Sequence, residues 1–192
     1  MRWVCVVSRP PDHAAATEYT IAIARRQDVP LLAGIERAAG QLLRGVAPQS
    51  VLDETTGEAD LREAQAGGRL WVALFGDTPV GFALVEMLAT DLPHLEEVDV
   101  RPDHARRGLG TALVQAVCEW ARRSRYSQIT LTTFRAVPWN EPFYARLGFE
   151  ELPAGELGPQ LVAIVADETR RGLDPDRRVV MTYRTRGISV TG

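Results

Sequence analysis

Hydrophobic positions along this chain alternate between a period of two and a period near 3.6, and the switches mark out its elements. Tyr19 to Arg25 alternates and is rich in β-formers, so it predicts a first strand. Asp28 then offers an N-cap, and Leu31, Ile35, Ala38, Ala39 and Leu42 recur at helical spacing to about Arg44. Gln49 to Gly57 reads as a turn, and Glu58 to Ala66 as a short polar helix closed by Gly67-Gly68. Two strands follow, Leu70 to Phe75 and Val80 to Ala89, joined by the hairpin signal Gly76-Asp77-Thr78-Pro79. Leu95 to Val100 is a further strand, ended by Arg101-Pro102. The clearest helix comes next, with Leu109, Ala112, Leu113, Ala116, Val117, Trp120 and Ala121 forming one apolar stripe. The remainder predicts a strand over Ile129 to Phe134, a short helix over Pro142 to Leu147 stopped at Gly148, an amphipathic helix from Gln160 to Arg171, and a last strand from Val179 to Arg184.

No repeat, low-complexity tract or linker interrupts this series. It predicts a single domain over residues 19–186, preceded by a poorly ordered extension (1–18) and followed by a short tail (187–192). The chain has 192 residues, 45% of them hydrophobic and 24% charged, which suits a core that needs no metal or disulfide. A net charge of −3 argues against a general nucleic-acid binder. Cys5 and Cys118 are far apart and in no metal-like spacing, which points to a reducing compartment and to no bound metal. No apolar run approaches the ~18 residues of a membrane span. The opening apolar run is cut short by Ser8, Arg9 and two prolines, too early for a signal peptide. The expected setting is the cytoplasm, without membrane or nucleic-acid partners.

One stretch changes the picture from fold to chemistry. Val98-Asp99-Val100 leads through Arg101 to Ala105 into Arg106-Arg107-Gly108-Leu109-Gly110-Thr111 and then the long helix. A helix start carries unpaired amide N–H groups and partial positive charge, so it attracts phosphate oxygens. Gly108 and Gly110 lack the β-carbons that would hold a diphosphate off that backbone, and Arg106 and Arg107 add fixed charge. The third glycine and early βαβ unit of a dinucleotide-binding fingerprint are missing.

These residues resemble the acetyl-CoA signature of the GNAT superfamily, whose core is Arg/Gln-x-x-Gly-x-Gly/Ala. The stretch Asn140-Glu141-Pro142-Phe143-Tyr144-Ala145-Arg146-Leu147-Gly148-Phe149 is similar to that family's second signature, Tyr-x-x-x-Gly-Phe at the end of a short helix. The resemblance covers about Tyr19 to Arg184. It implies an α/β (α+β) fold with a mixed, mostly antiparallel central sheet, splayed after the fourth strand and flanked by helices. Ala105 stands where the family usually has Arg or Gln, so Arg106 or Arg107 would supply that charge. Asn140 lies nearer to Tyr144 than the usual asparagine does.

By the resemblance, the chain transfers the acetyl group of acetyl-CoA directly to a primary amine of a small molecule or protein. The backbone of Val98 and Val100 would pair with pantetheine, amides from Arg107 to Thr111 would hold the pyrophosphate, and Asn140 would add a cofactor contact. An alkyl ammonium must lose a proton before it attacks. His94, Glu96, Glu97 and Asp99 supply candidate bases, with His94 and Glu96 on one face of a strand and Glu97 and Asp99 on the other. The resemblance favours Glu96 as base and Glu97 second, and it implies that Tyr144 stabilises the departing thiolate. The bland alternatives are ion pairs of these acids with Arg101, Arg106 or Arg107, and a Tyr144 packed on the core. Cys118 is expected on the polar side of its helix, as a structural thiol. An acyl-CoA-sensing or interaction module without turnover is the second functional reading, and a homodimer is compatible with either.

Overall fold

The computed structural model describes residues 19–135, 137 and 139–185; the expected extension 1–18 and tail 187–192 lie outside them. Among the described residues, seven strands form one sheet: β1 (Tyr19–Ile23), β2 (Leu70–Phe75), β3 (Thr78–Ala89), β4 (Leu92–Val100), β5 (Gln128–Phe134), β6 (Glu150–Glu151) and β7 (Arg178–Arg184). Their spatial order is β1-β2-β3-β4-β5-β7-β6. Every neighbouring pair is antiparallel except β4 and β5, which run parallel. The β2–β3 hairpin turns on Gly76-Asp77, with Gly76 at φ 59° in the first turn position, where a tight hairpin favours glycine.

Alternation along the central strands sends side chains to two separate cores. Phe82 and Leu84 meet Leu32 and Ile35 of α1 (Val29–Gly40) and Leu61 and Ala64 of α3 (Glu58–Ala66). Ala83, Val85 and Leu95 meet Leu109, Leu113 and Val117 of α4 (Leu109–Arg123), on the opposite face. Burial of such side chains contributes about 1.5–3 kcal/mol each, which is why these strands and helices hold together without staples. On the α1 side of the sheet, α6 (Pro159–Arg170) closes a third cluster of Leu152, Leu161 and Val180.

Three local readings change. Gln49 to Gly57 is not all turn, because Gln49–Asp53 forms a short helix, α2, that buries Leu52; Val51 packs near Phe134 and Leu173. Asp28 does sit at the start of α1, but its carboxylate makes no cap bond into the helix; it accepts from the Arg25 backbone N–H at 2.7 Å and from its guanidinium. Cys118 is in the core of the α4 face rather than on a polar side. Leu147 and Tyr183 lie beside it, so the buried arc of α4 is wider than the stripe seen in sequence.

Candidate active site

β4 and β5 share a single paired position, His94 with Thr130. Past it the two strands part, leaving β4 from Leu95 to Val100 bonded only to β3. The Arg101 N–H donates to the Val80 carbonyl at 2.9 Å. Alternation then turns Asp99 toward β3 and aims the backbone groups of Val98 and Val100 into the gap. Unpaired backbone in mid-sheet is costly when dry, so this edge suits a strand-like ligand.

At the end of that edge, the loop after β4 bends through two left-handed residues, Arg106 at φ 58° and Gly108 at φ 79°. Among the described residues, no carbonyl accepts a hydrogen bond from the amides of Arg106 to Thr111. Nothing lies within 4 Å of where a Cβ on Gly108 would sit, and one on Gly110 would first meet the Phe143 ring at 3.6 Å. The loop is therefore an open cradle of free donors at a helix start. Arg106 faces the cavity described below, whereas Arg107 lies 5.8 Å from the Tyr19 ring centroid. The Leu109 side chain is buried, so only its amide is available to a ligand.

The acidic strand departs from simple alternation. Leu84 pairs with Glu97 and Val85 with Leu95, so Glu96 is an extra residue in a β-bulge. The bulge resets the register: His94, opposite Glu86, and Glu97, opposite Leu84, now share one face, and Asp99 follows Glu97 on it. The expectation that His94 and Glu96 stand opposite Glu97 and Asp99 thus fails. All four stand on the α1 side of the sheet, with Glu96, Glu97 and Asp99 lining the cavity and His94 buried. Glu96 Oε2 lies 3.8 Å from His94 Nε2. None of these acids pairs with Arg101, Arg106 or Arg107; Arg101 bonds Asp103 instead.

Electrostatics follow from that crowding. The Glu96 carboxyl is pushed up to about 7, first by burial and then by Glu86 and Glu168. Its side chain keeps 42% exposure, and that exposure is to the cavity. Burial, Asp99 and Glu36 hold the Glu97 carboxyl well above its usual range, and burial with Glu36 does the same to Asp99. Glu36, on α1, accepts from the Thr56 N–H at 3.0 Å and is itself raised by burial. His94, only 1% exposed, is lowered to about 4 by burial and by Arg178, so it is neutral.

Tyr144 lies on the short helix α5 (Glu141–Arg146) and packs among the residues of the α4-side core. Burial raises its phenol above the usual value, with Glu97 and Asp99 adding to the rise. Tyr144, Glu97 and Asp99 line the same cavity, Tyr144 from the α4-side core. Asn140 caps α5 with its carbonyl, which accepts from Phe143 and Tyr144; its side chain makes no cap bond. Cys118 is raised to about 12 by burial, which keeps it a thiol.

Gap, cradle and acids open onto one cavity of about 1140 Å³. Its floor carries a network the sequence did not announce: Arg178 grips Glu168 of α6 through Nη2 at 2.6 Å and Nε at 3.1 Å, and Thr132 joins them. Across the mouth, Arg171 pairs with Glu54 at 2.5 Å. Glu36 was also missed, because nothing in a helix pattern signals that one polar position will face a strand 60 residues on. Among the described residues, no cluster of His, Cys, Asp and Glu is arranged to hold a metal, and no helix is long and apolar enough to cross a membrane.

Residues 39–149, which include the cradle, the acidic strand and Tyr144, match the model of the Acetyltransferase (GNAT) family. The chain belongs to that family and is an acyltransferase of the GNAT type that uses acetyl-CoA. Solved structures agree in fold. The PaiA N-acetyltransferase from Thermoplasma acidophilum, in complex with coenzyme A, superposes with a TM-score of 0.65 at 13% identity, covering 87% of this chain and 99% of its own. Rv2747 from Mycobacterium tuberculosis, in complex with CoA and NLQ, gives 0.58 at 24% identity over 86% of this chain and 98% of its own. The ribosomal-protein-S18-alanine N-acetyltransferase from Escherichia coli gives 0.59 at 18% identity over 87% and 94%.

Proposed function

We propose that this enzyme acetylates a cationic primary amine by direct transfer within a ternary complex. The observation that carries this reading is the gap after the His94–Thr130 pair, with carboxylates on one side and Tyr144 on the other. Acetyl-CoA lies with its pyrophosphate on the amides from Arg107 to Thr111, Arg106 nearby, and its pantetheine along Val98 and Val100, with Asn140 at the cavity wall. The ammonium gives its first proton to Glu96, with Glu97 as the second choice of base. The freed nitrogen lone pair attacks the thioester carbonyl, the N–C bond forms, and the C–S bond breaks. The nitrogen's second proton goes to the sulfur, whose developing charge is held by the Tyr144 hydroxyl.

Charge pairing supports a cationic acceptor. Three of the arginines that line the cavity are already matched, Arg178 with Glu168, Arg171 with Glu54 and Arg69 with Glu63. Glu97 and Asp99 make no ion pair or hydrogen bond among the described residues, so an ammonium fits them and a substrate carboxylate does not. Whether the amine belongs to a small molecule or to a protein chain end, its ammonium meets the same acids. Thiol release from acetyl-CoA tests this across a panel of amines. Cationic amines should turn over and amino acids bearing a nearby carboxylate should lag; the reverse order would remove the acceptor assignment.

A further inference from the structure

Among the deeply buried titratable groups that the mechanism above leaves unused, His94 lies beside the base. His94 stands at the only paired position joining β4 to β5, where the sheet opens. Its Nδ1 lies 2.9 Å from Thr130 Oγ1, and both residues are at most 1% exposed. The Thr130 hydroxyl is placed to donate onward to the Pro93 carbonyl, at 3.5 Å. With its only hydrogen turned that way, Thr130 accepts from Nδ1–H, and the neutral ring is left with a bare lone pair on Nε2. That lone pair faces Glu96 Oε2 at 3.8 Å. The separation exceeds a hydrogen bond, and a shift of roughly 1 Å in the cavity-exposed carboxyl closes it, as apo catalytic contacts commonly do on substrate binding.

Resting on the reading of Glu96 as general base, we propose that His94 is its positioning residue: the imidazole, fixed by Thr130, accepts a hydrogen bond from the acid form of Glu96 and so steadies the proton taken from the amine. A protonated imidazole would repel that proton, and the buried ring stays neutral through the working range. The other charged groups facing Glu96 are Glu86 on β3, Glu97 on β4, Glu168 on α6, and Arg171 and Arg178. All are retained in the variants below, so a change in the ionisation of Glu96 reports on His94. A neutral hydrogen bond made by only one protonation state is worth about one pKa unit.

The test is the pH dependence of kcat/KM for the intact enzyme from about pH 5.5 to about pH 9, a range chosen to bracket the Glu96 transition near 7. His94→Asn keeps a polar atom in the place of Nδ1, toward Thr130, and leaves nothing where Nε2 stood. Its acid limb should move down by about one pH unit, with the high-pH plateau within about threefold of wild type. Thr130→Val should move the limb the same way, because without an acceptor for Nδ1–H the ring favours the Nε2–H tautomer, which stabilises ionised Glu96. Thr130→Ser should restore it. Thr130→Val also carries the test if His94→Asn does not fold. A limb that stays in place or moves up in His94→Asn and Thr130→Val overturns the proposal. Glu96→Gln separates the two levels: if it abolishes the inflection near pH 7 while His94→Asn leaves it unmoved, only the positioning role falls, and if that inflection survives in Glu96→Gln, the base assignment falls and the proposal with it.

Discussion

Replacing Glu97 with glutamine should stabilise the unliganded protein, by an amount that grows with pH. Glu97 and Asp99 are two residues apart on one face of β4, so their carboxyls are about 7 Å apart. At an effective dielectric of about 20, two like charges at that distance repel by about 2 kcal/mol. Glu36 faces the same pair and adds to the repulsion. The sign follows from the direction of the shifts. Both carboxyls titrate higher in the folded protein than in the unfolded chain, so their stabilising contribution is complete below the ordinary carboxyl range and is lost as pH rises through the raised values. Wild-type Tm should therefore fall between about pH 5 and about pH 9, and Glu97→Gln should flatten that fall. For a chain of this size about 2 kcal/mol corresponds to a rise of about 4–8 °C at the alkaline end, with little difference at the acid end. Thermal unfolding followed by circular dichroism across this range measures it. A wild type whose stability rises with pH, or a variant no more stable than wild type at about pH 9, refutes the reasoning. The same repulsion gives a cationic acceptor something to neutralise, so amine-dependent stabilisation should be larger at high pH than at low.

Gly110→Val should abolish the thermal stabilisation given by CoA while leaving a folded protein, since the added side chain occupies the cradle and its β-carbon meets only the Phe143 ring, at 3.6 Å; an undiminished CoA shift would move the diphosphate elsewhere. Arg178→Met should cost about 3–5 kcal/mol, because it strands the Glu168 carboxylate in a site where its side chain is only 11% exposed. Adding Glu168→Leu should recover most of that loss in a urea titration, and a double variant as unstable as the single would show that the pair's charges are not what matters.

Much of the fold was legible because periodicity is local. The stripe from Leu109 to Ala121 could bury its apolar side only as a helix, and α3 from Glu58 to Ala66 ended where Gly67-Gly68 said it would. The cradle was legible for the same reason: left-handed backbone at Gly108 and free amides at a helix start are properties of a few adjacent residues. The acidic strand was legible in composition but not in geometry. A bulge adds one residue at Glu96 and swaps faces beyond it, and no residue in Leu95-Glu96-Glu97 announces the insertion, because it depends on how β3 pairs opposite. Glu36, Glu168 and Arg178 reach the cavity from three elements far apart in sequence, so only the packed structure brings them together. Cys118 was misplaced because the arc of a helix that is buried depends on its neighbours, here Leu147 and Tyr183, and not on its own pattern.

Tyr144→Phe tests the central claim most directly, that the gap in the sheet is a working acetyl-transfer site with the acids and Tyr144 on either side of the thioester. Phenylalanine keeps the ring contacts with Phe143 and Phe149 and removes only the hydroxyl. If that hydroxyl steadies the leaving thiolate, its contact is made mainly in the transition state. With a cationic amine that turns over, kcat measured by thiol release should drop by about 10²-fold, while acetyl-CoA affinity changes by less than about threefold. Equal kcat in the two proteins, or a loss that appears only in acetyl-CoA affinity, would contradict the account.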